Sequence, residues 1–340
     1  MKLVGLLLAS ILIAGSAAAQ TPSGFKLQDR YPVVGNDGWD YITVDSSARR
    51  LYVAHATHVN VLDADTGKAI GTIEDTPGVH GIAIASSSKH GFTSNGKENK
   101  VSMFNTADLS LIRKIEVGKG PDGIFYEAKT DRVFINNHGS HNITAIDATK
   151  GDVVGTVDVG GDGEGIGIGK DGLVYVALED KNELCAFDPK TLEVKRHLAL
   201  DGITAPTGVA IDARNDRFIV GGHNKTALVI DGATGKRIAS FPTGSGTDFA
   251  GWDERDGLAF ISNGEGTISV IQEKSPNEFI ALDPIQTQQS AKTMAFDARS
   301  GKIFLPAATV VVTPAADPTQ KSKRTITEGS FVVLMVAKGQ

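Results

Sequence analysis

The chain has 340 residues, 41% of them hydrophobic and 39 of them glycine, so it can bury a sizeable core and needs many turns. Its 34 basic against 40 acidic side chains leave a formal charge of −6, with no Lys/Arg run of the kind that tracks phosphates, which argues against a nucleic-acid partner. One cysteine, Cys185, excludes an internal disulfide.

Residues 1–19 have the form of a secretory signal, with Lys2 as the basic start, Leu3–Ile13 as the apolar stretch and Ala17-Ala18-Ala19 as the cleavage site. The mature chain is therefore expected from about Gln20, exported to the periplasm or the exterior. No second apolar run is long enough to span a bilayer. Phe25–Val33 reads as a single strand standing ahead of everything else.

From there a unit repeats. Its clearest copy is an aromatic-led strand, Arg132–Asn137, then a strand ending in Asp, Ile143–Asp147, a turn Ala148–Gly151 and a further strand, Val153–Val159. Aligned on the aromatic-led strand, the copies are marked by Tyr52, Phe92, Phe134, Tyr175, Ile219, Phe260 and Phe304, with spacings of 40, 42, 41, 44, 41 and 44 residues. Seven copies of this length with four strands each predict an all-β, seven-bladed propeller occupying residues 20–340 as one domain. The last copy ends with Phe331–Val336 and lacks a fourth strand, so the N-terminal strand is expected to complete it and remove two exposed sheet edges. Cys185 alternates within a strand pattern and reads as a buried thiol. A stretch of about twenty residues, Ala308–Gly329, interrupts the last copy; its Pro314–Arg324 segment is turn-rich and basic and reads as a mobile lid or a disordered loop.

The residue opening the first strand of each copy reads Asp40, His80, Asp122, Glu164, Thr207, Asp248 and Lys292. Two residues on, the same register reads Ile42, Ile82, Ile124, Ile166, Val209, Ala250 and Met294. In a propeller the first strand lines the central channel, so seven polar side chains should converge at one mouth of it. Glycines at 81, 123, 165 and 208 let the backbones crowd there. A solvated mouth would be polar in any case, but three carboxylates around one imidazole repel unless a cation intervenes. The cation is either Lys292 or a divalent metal, and one imidazole with carboxylate oxygens suits Ca²⁺, Mn²⁺ or Zn²⁺. Asp40, His80, Asp122 and Glu164 are the candidate metal ligands. Asp40 again, Thr207, Asp248, Lys292, Trp39, His138 and His223 are candidates to contact a bound ligand. Histidines also lie three apart at His55/His58 and His138/His141, for which ordinary hydrogen bonding is the plainer reading.

The strand Phe260–Asn263, the strand Ile268–Ile271 and the Asp-x-x-Thr-Gly-Lys turns at Asp63 and Asp231 resemble the YVTN-type repeat. Over about residues 25–340 the chain is similar to exported YncE-like seven-bladed propellers. That resemblance implies the fold; it leaves the activity open, because the group includes binding proteins, surface components and enzymes. The expected function is capture of a small ligand or divalent cation at the ring. The alternatives are a hydrolase or lyase using His80, Asp122 and Lys292, and a scaffold with a protein partner on the loop face. A monomer is expected. No nucleotide or quinone cofactor is indicated: Gly167–Gly172 matches a dinucleotide pattern by letter but lies between strands, and Trp39 and Trp252 are too few for a quinone-docking series.

Overall fold

A computed structural model describes residues 21–313 and 322–339. Seven four-stranded antiparallel sheets form the blades of a propeller. Blade I comprises Trp39–Asp45, Arg50–His55, His58–Asp63 and Ala69–Ile73. The innermost strands of blades II to VI are Val79–Ala85, Pro121–Glu127, Gly163–Ile168, Pro206–Asp212 and Thr247–Asp253, and that of blade VII is the short Ala295–Asp297. Among the described residues the only helical element is one 3-10 turn, His138–Ser140, and no helix is long and apolar enough to cross a membrane. The predicted signal, residues 1–19, lies outside the described residues.

A blade buries both of its faces against its two neighbours, which is why the second and third strands read as nearly continuous apolar runs. The core accordingly divides into seven clusters, one at each blade junction. The aromatic markers are its centres: Tyr52, Phe92, Phe134, Tyr175, Phe260 and Phe304 are fully buried, as is Ile219, which replaces the aromatic in blade V. Cys185 is buried in the junction between blades III and IV, where burial pushes its thiol up to about 12 and leaves it unreactive.

Blade VII closes as the missing strand requires. Phe25–Pro32 pairs antiparallel with Val332–Lys338, from Phe25 opposite Lys338 to Pro32 opposite Val332. Pro32 is tolerated because this strand is outermost and its neighbour needs no hydrogen bond from that edge. Phe25 packs against Phe260 of blade VI, and Tyr31 lies against Phe304, so the strand is held by aromatic burial as well as by its ladder.

The insertion in blade VII differs from a structureless loop. Val310–Thr313 and Lys323–Ile326 form a two-stranded ribbon. Its run of β-branched valines explains the strand, and Val311 and Val312 on opposite faces are both exposed, so it stands off the body of the blade. The segment between the two arms, residues 314–321, lies outside the described residues.

Removing residues 20–34 deletes the closing strand. Two buried aromatics, Phe25 and Tyr31, leave with it, at roughly 3–5 kcal/mol each. Thermal unfolding followed by circular dichroism should show a large fall in Tm; a chain lacking these residues that melts like the intact one would contradict closure by this strand.

Candidate functional site at the channel mouth

The mouth is built by a backbone irregularity. In blades I to VI the ladder between the first two strands slips by one residue at the start of the innermost strand, between Trp39 and Ile42, Val79 and Ile82, Pro121 and Ile124, Gly163 and Ile166, Pro206 and Gly208, and Thr247 and Phe249. Each ring residue of those blades sits in the slip. A bulge of this kind frees the residue from the ladder and re-aims its side chain. It also releases a carbonyl, and buried carbonyls need donors. The preceding blade supplies three of them: Ser94 donates to the Asp122 carbonyl, Asn136 Nδ2 to that of Glu164 at 2.7 Å, and Thr293 Oγ1 to that of Asp40 at 2.7 Å. In blade VII, which has no such slip, Ser262 Oγ donates to the Lys292 carbonyl at 2.5 Å in the same manner. The glycines following the ring slot permit the approach. A Cβ at Gly165 would come within 2.1 Å of the Thr207 carbonyl, and one at Gly208 within 2.7 Å of the Phe249 backbone.

Five ring residues form one continuous arc. Lys292 Nζ lies 2.7 Å from Asp248 Oδ2 and 3.3 Å from Asp40 Oδ1. Asp40 Oδ2 is 2.7 Å from His80 Nδ1, which is 3.7 Å from Asp122 Oδ2. Blades VI, VII, I, II and III are thus joined in order by alternating charge. Within the arc, one donor atom each from Asp40, His80 and Asp122 all lie within 4.8 Å of one another. Glu164 is not part of this trio. It faces the arc from blade IV, where its Oε2 accepts from the Tyr41 hydroxyl at 3.3 Å, and its Oε1 is 3.8 Å from His138 Nδ1.

Thr207 does not present a hydroxyl to the mouth; it is 2% exposed and donates to the Thr247 carbonyl at 3.1 Å, binding blade V to blade VI. Trp39 stacks on Phe331 in the junction between blades VII and I, a wall of the core beside the ring. His138 and His223 stand at the rim on loops. His138 Nε2 is 3.7 Å from Asp162 Oδ2, and His223 Nδ1 is 3.5 Å from Glu179 Oε1. His55 is fully buried with Nδ1 2.8 Å from Asn60 Oδ1, a structural role. The strand-end asparagines are structural too: Asn137 Nδ2 donates to Thr144 and Asn142, and Asn263 Nδ2 to Ser269.

Tyr41, Asp162, Glu179 and Thr293 belong to the mouth but were not singled out by the repeat. Tyr41 occupies the slot that is glycine in four other blades, and Phe249 occupies it in blade VI; their rings pack edge to face at 6.0 Å. An aromatic in a glycine slot was the available signal.

The charges bear on one another. Burial disfavours the imidazolium of His80, but the hydrogen bond to Asp40 and the charges of Asp122 and Asp40 outweigh it, and its pKa is raised. Burial, opposed by His80 and reinforced by Asp40, raises Asp122. Burial also raises Asp248, with Lys292 opposing. Burial works against the Lys292 ammonium too, yet Asp248 and Asp40 hold its pKa above the ordinary value. Glu164, 14% exposed, is pushed up to about 9 by burial and then by Asp122, Asp248 and Glu179, so it is neutral at pH 7. The assembled mouth can hold a cation once His80 gives up its proton, bind an anionic group at Lys292, or move a proton through His80. Two clefts, of about 370 and 340 Å³, are formed elsewhere, around Glu183 and His197 and around Asp212 and Glu273, and no ring residue lines either. The ring carboxylates are largely buried, 14–23% exposed, and suit an ion or a ligand's polar end.

Glu164 makes a pH prediction with a definite sign. The folded carboxyl keeps its proton up to about 9, while the unfolded one releases it near 4.5, so between these values the folded state binds more protons and stability falls as pH rises. Glu164→Gln removes that loss. Urea unfolding should show little difference between variant and wild type near the lower end of that window and a growing advantage for the variant toward the upper end. Parallel stability curves would contradict the burial of this carboxyl.

Three solved structures share the architecture. A chain of the mitotic checkpoint complex is 14% identical with a TM-score of 0.70, covering 96% of this chain and 99% of that one. The structures of U3-55K and of the RRP9 WD40 repeats are each 8% identical with a TM-score of 0.74, covering 93% and 94% of this chain and 99% of theirs. These likenesses concern the fold alone. No curated protein matches the chain. Residues 55–325, about four-fifths of the sequence, match one family model, and by that match the chain belongs to the PQQ_2 family, described as outer membrane protein assembly factor BamB.

Proposed function

We propose that this protein is an exported propeller whose channel mouth binds a divalent cation through Asp40, His80 and Asp122, with Lys292 placed to orient an anionic ligand beside it. One observation carries the reading: three side chains from three successive blades, two aspartates and a histidine, bring donor atoms within 4.8 Å of one another. An imidazole with two carboxylates is a borderline-hard donor set, which favours Mn²⁺ or Zn²⁺ and accepts Ca²⁺ less well. Support for export comes from the leader-like residues 1–19, from the similarity of the repeats to exported YncE-like propellers, and from a family description that names the outer membrane. That description also names an assembly factor, which favours a second reading in which the loop face docks a protein partner and the ring is one edge of that surface.

The test is calorimetric titration of the chelator-stripped mature protein with MnCl₂. Asp122→Asn and His80→Ala should each weaken binding roughly tenfold or more, as loss of even an outer-shell partner does at many metal sites. Cation and proton compete for His80, whose pKa is raised, so affinity should climb with pH through that value and then level off. Unaltered isotherms in both variants would leave the scaffold reading in place.

A further inference from the structure

We propose that the long hairpin of blade VI is a proton-dependent latch: a proton shared by the carboxyls of Asp212 and Glu273 holds its tip on blade V, and loss of that proton frees the tip. The latch sits at the far end of the innermost strands from the ring, uses no ring residue and does not rest on the cation reading.

The hairpin departs from the repeat. The third and fourth strands of blades I to V run five or six residues each. In blade VI both Thr267–Ser275 and Glu278–Gln286 run nine. The ladder between them slips after Glu273, and the tip beyond it lies on blade V. There Arg217 Nε donates to the Pro276 carbonyl at 2.7 Å and Nη2 to Asn277 Oδ1 at 3.2 Å, while Nη1 donates to Asp231 Oδ2 at 2.8 Å. Asn215 Nδ2 donates to Glu273 Oε1 at 2.8 Å.

One contact in this clasp needs a proton. Asp212, 1% exposed, accepts the backbone N–H groups of Arg214 and Asn215, and the Glu273 carboxyl is hydrogen-bonded to it. Two ionised carboxylates have no hydrogen to share, so one of the pair must be protonated. The junction between blades VII and I is built otherwise. Asp297 also ends an innermost strand and is fully buried, but Arg49 Nη1 lies 2.6 Å from its Oδ2. At blade V an acid faces the aspartate instead.

No cation takes the proton's place. Arg214 pairs with Glu254 at 2.8 Å, Arg217 with Asp231, and Arg255 Nε lies 3.6 Å from Asp253 Oδ1. Lys274 and Glu278, close by on the arm, are exposed, and Asp256 pairs with Lys338 at 2.6 Å. Burial, then the hydrogen bond to Asp212 and its charge, raise the Glu273 carboxyl to about 7, with Asn215 and Arg217 opposing. Freed from the clasp, that carboxyl ionises near 4.5. The latch is therefore at full strength below 4.5, weakens as pH rises, and has lost the contribution of the proton above about 7. The cleft of about 340 Å³ that both carboxyls line lets water reach them once the proton has gone.

The experiment is amide hydrogen exchange of the mature protein, read by mass spectrometry on peptides spanning residues 273–279 and corrected for the intrinsic effect of pH. Release of one proton loosens the tip at most about tenfold per pH unit within that window, so protection should fall roughly tenfold or more between about pH 5.5 and about pH 8. Glu273→Gln, whose amide still donates to Asp212, should stay protected at both. The hairpin at residues 147–151 of blade III is the control and should keep its protection at both. Tip protection in the wild type that is independent of pH would overturn the proposal. So would a fall shared equally by Glu273→Gln or by the blade III hairpin. Should Glu273→Gln fail to fold, the contrast between the two wild-type hairpins decides the matter alone.

Discussion

The mouth of this propeller depends on one constraint, the backbone carbonyls of its opening residues, four of which the neighbouring blade binds. A regular ladder would direct the opening residue of each innermost strand by strict alternation and would bind its carbonyl within the blade. The slip at Trp39–Ile42 and its counterparts breaks both rules. Hydroxyls and an amide at Ser94, Asn136 and Thr293 then pin released carbonyls across blade junctions, and Ser262 binds the Lys292 carbonyl likewise in the blade without a slip. These bonds are partly buried, so each lost one would leave a carbonyl with poorer access to a donor, at a cost toward the lower end of about 1–3 kcal/mol. The side chains of the ring are consequently set on a rigid frame of inner strands, where positions are held more closely than on loops.

On that frame the charges are arranged to coexist without a ligand. Lys292 separates Asp248 from Asp40, and His80 separates Asp40 from Asp122. Glu164, buried and facing Asp122, Asp248 and Glu179, answers by staying protonated beside the Tyr41 hydroxyl. The ring therefore carries one replaceable positive group, the His80 proton, between two carboxylates. Exchange of that proton for a divalent ion preserves the alternation, which is why the trio, rather than the seven slots together, is the place for a cation. The arc also spans the blade VII–blade I junction, so a closed ring is a precondition of the site and the N-terminal strand contributes to it indirectly.

Much of this was legible in the letters because propeller blades repeat. A buried centre must recur once per blade, and the marker positions from Tyr52 to Phe304 are all fully buried. The polar slot recurs likewise, and its residues do lie at the mouth except Thr207, whose hydroxyl a neighbouring carbonyl takes. What a repeat cannot show is whatever departs from it. Tyr41 works because it breaks the glycine pattern, Asp162 and Glu179 come from loops of unequal length, and the Val310–Thr313 ribbon has no counterpart in six other blades. Bulges leave no letter of their own. Family detail was equally faint: the strands resemble YVTN repeats, while the match over residues 55–325 is to the PQQ_2 family.

The central claim is that Asp40, His80 and Asp122 converge on a cation, and a crystal of the mature protein grown with MnCl₂ tests it most directly. Anomalous scattering at the manganese edge should give a peak between these three side chains, with His80 Nδ1 and a carboxylate oxygen from each aspartate as ligands and Lys292 still paired with Asp248. A crystal in which manganese scatters elsewhere, or not at all, while His80 remains hydrogen-bonded to Asp40, would contradict it.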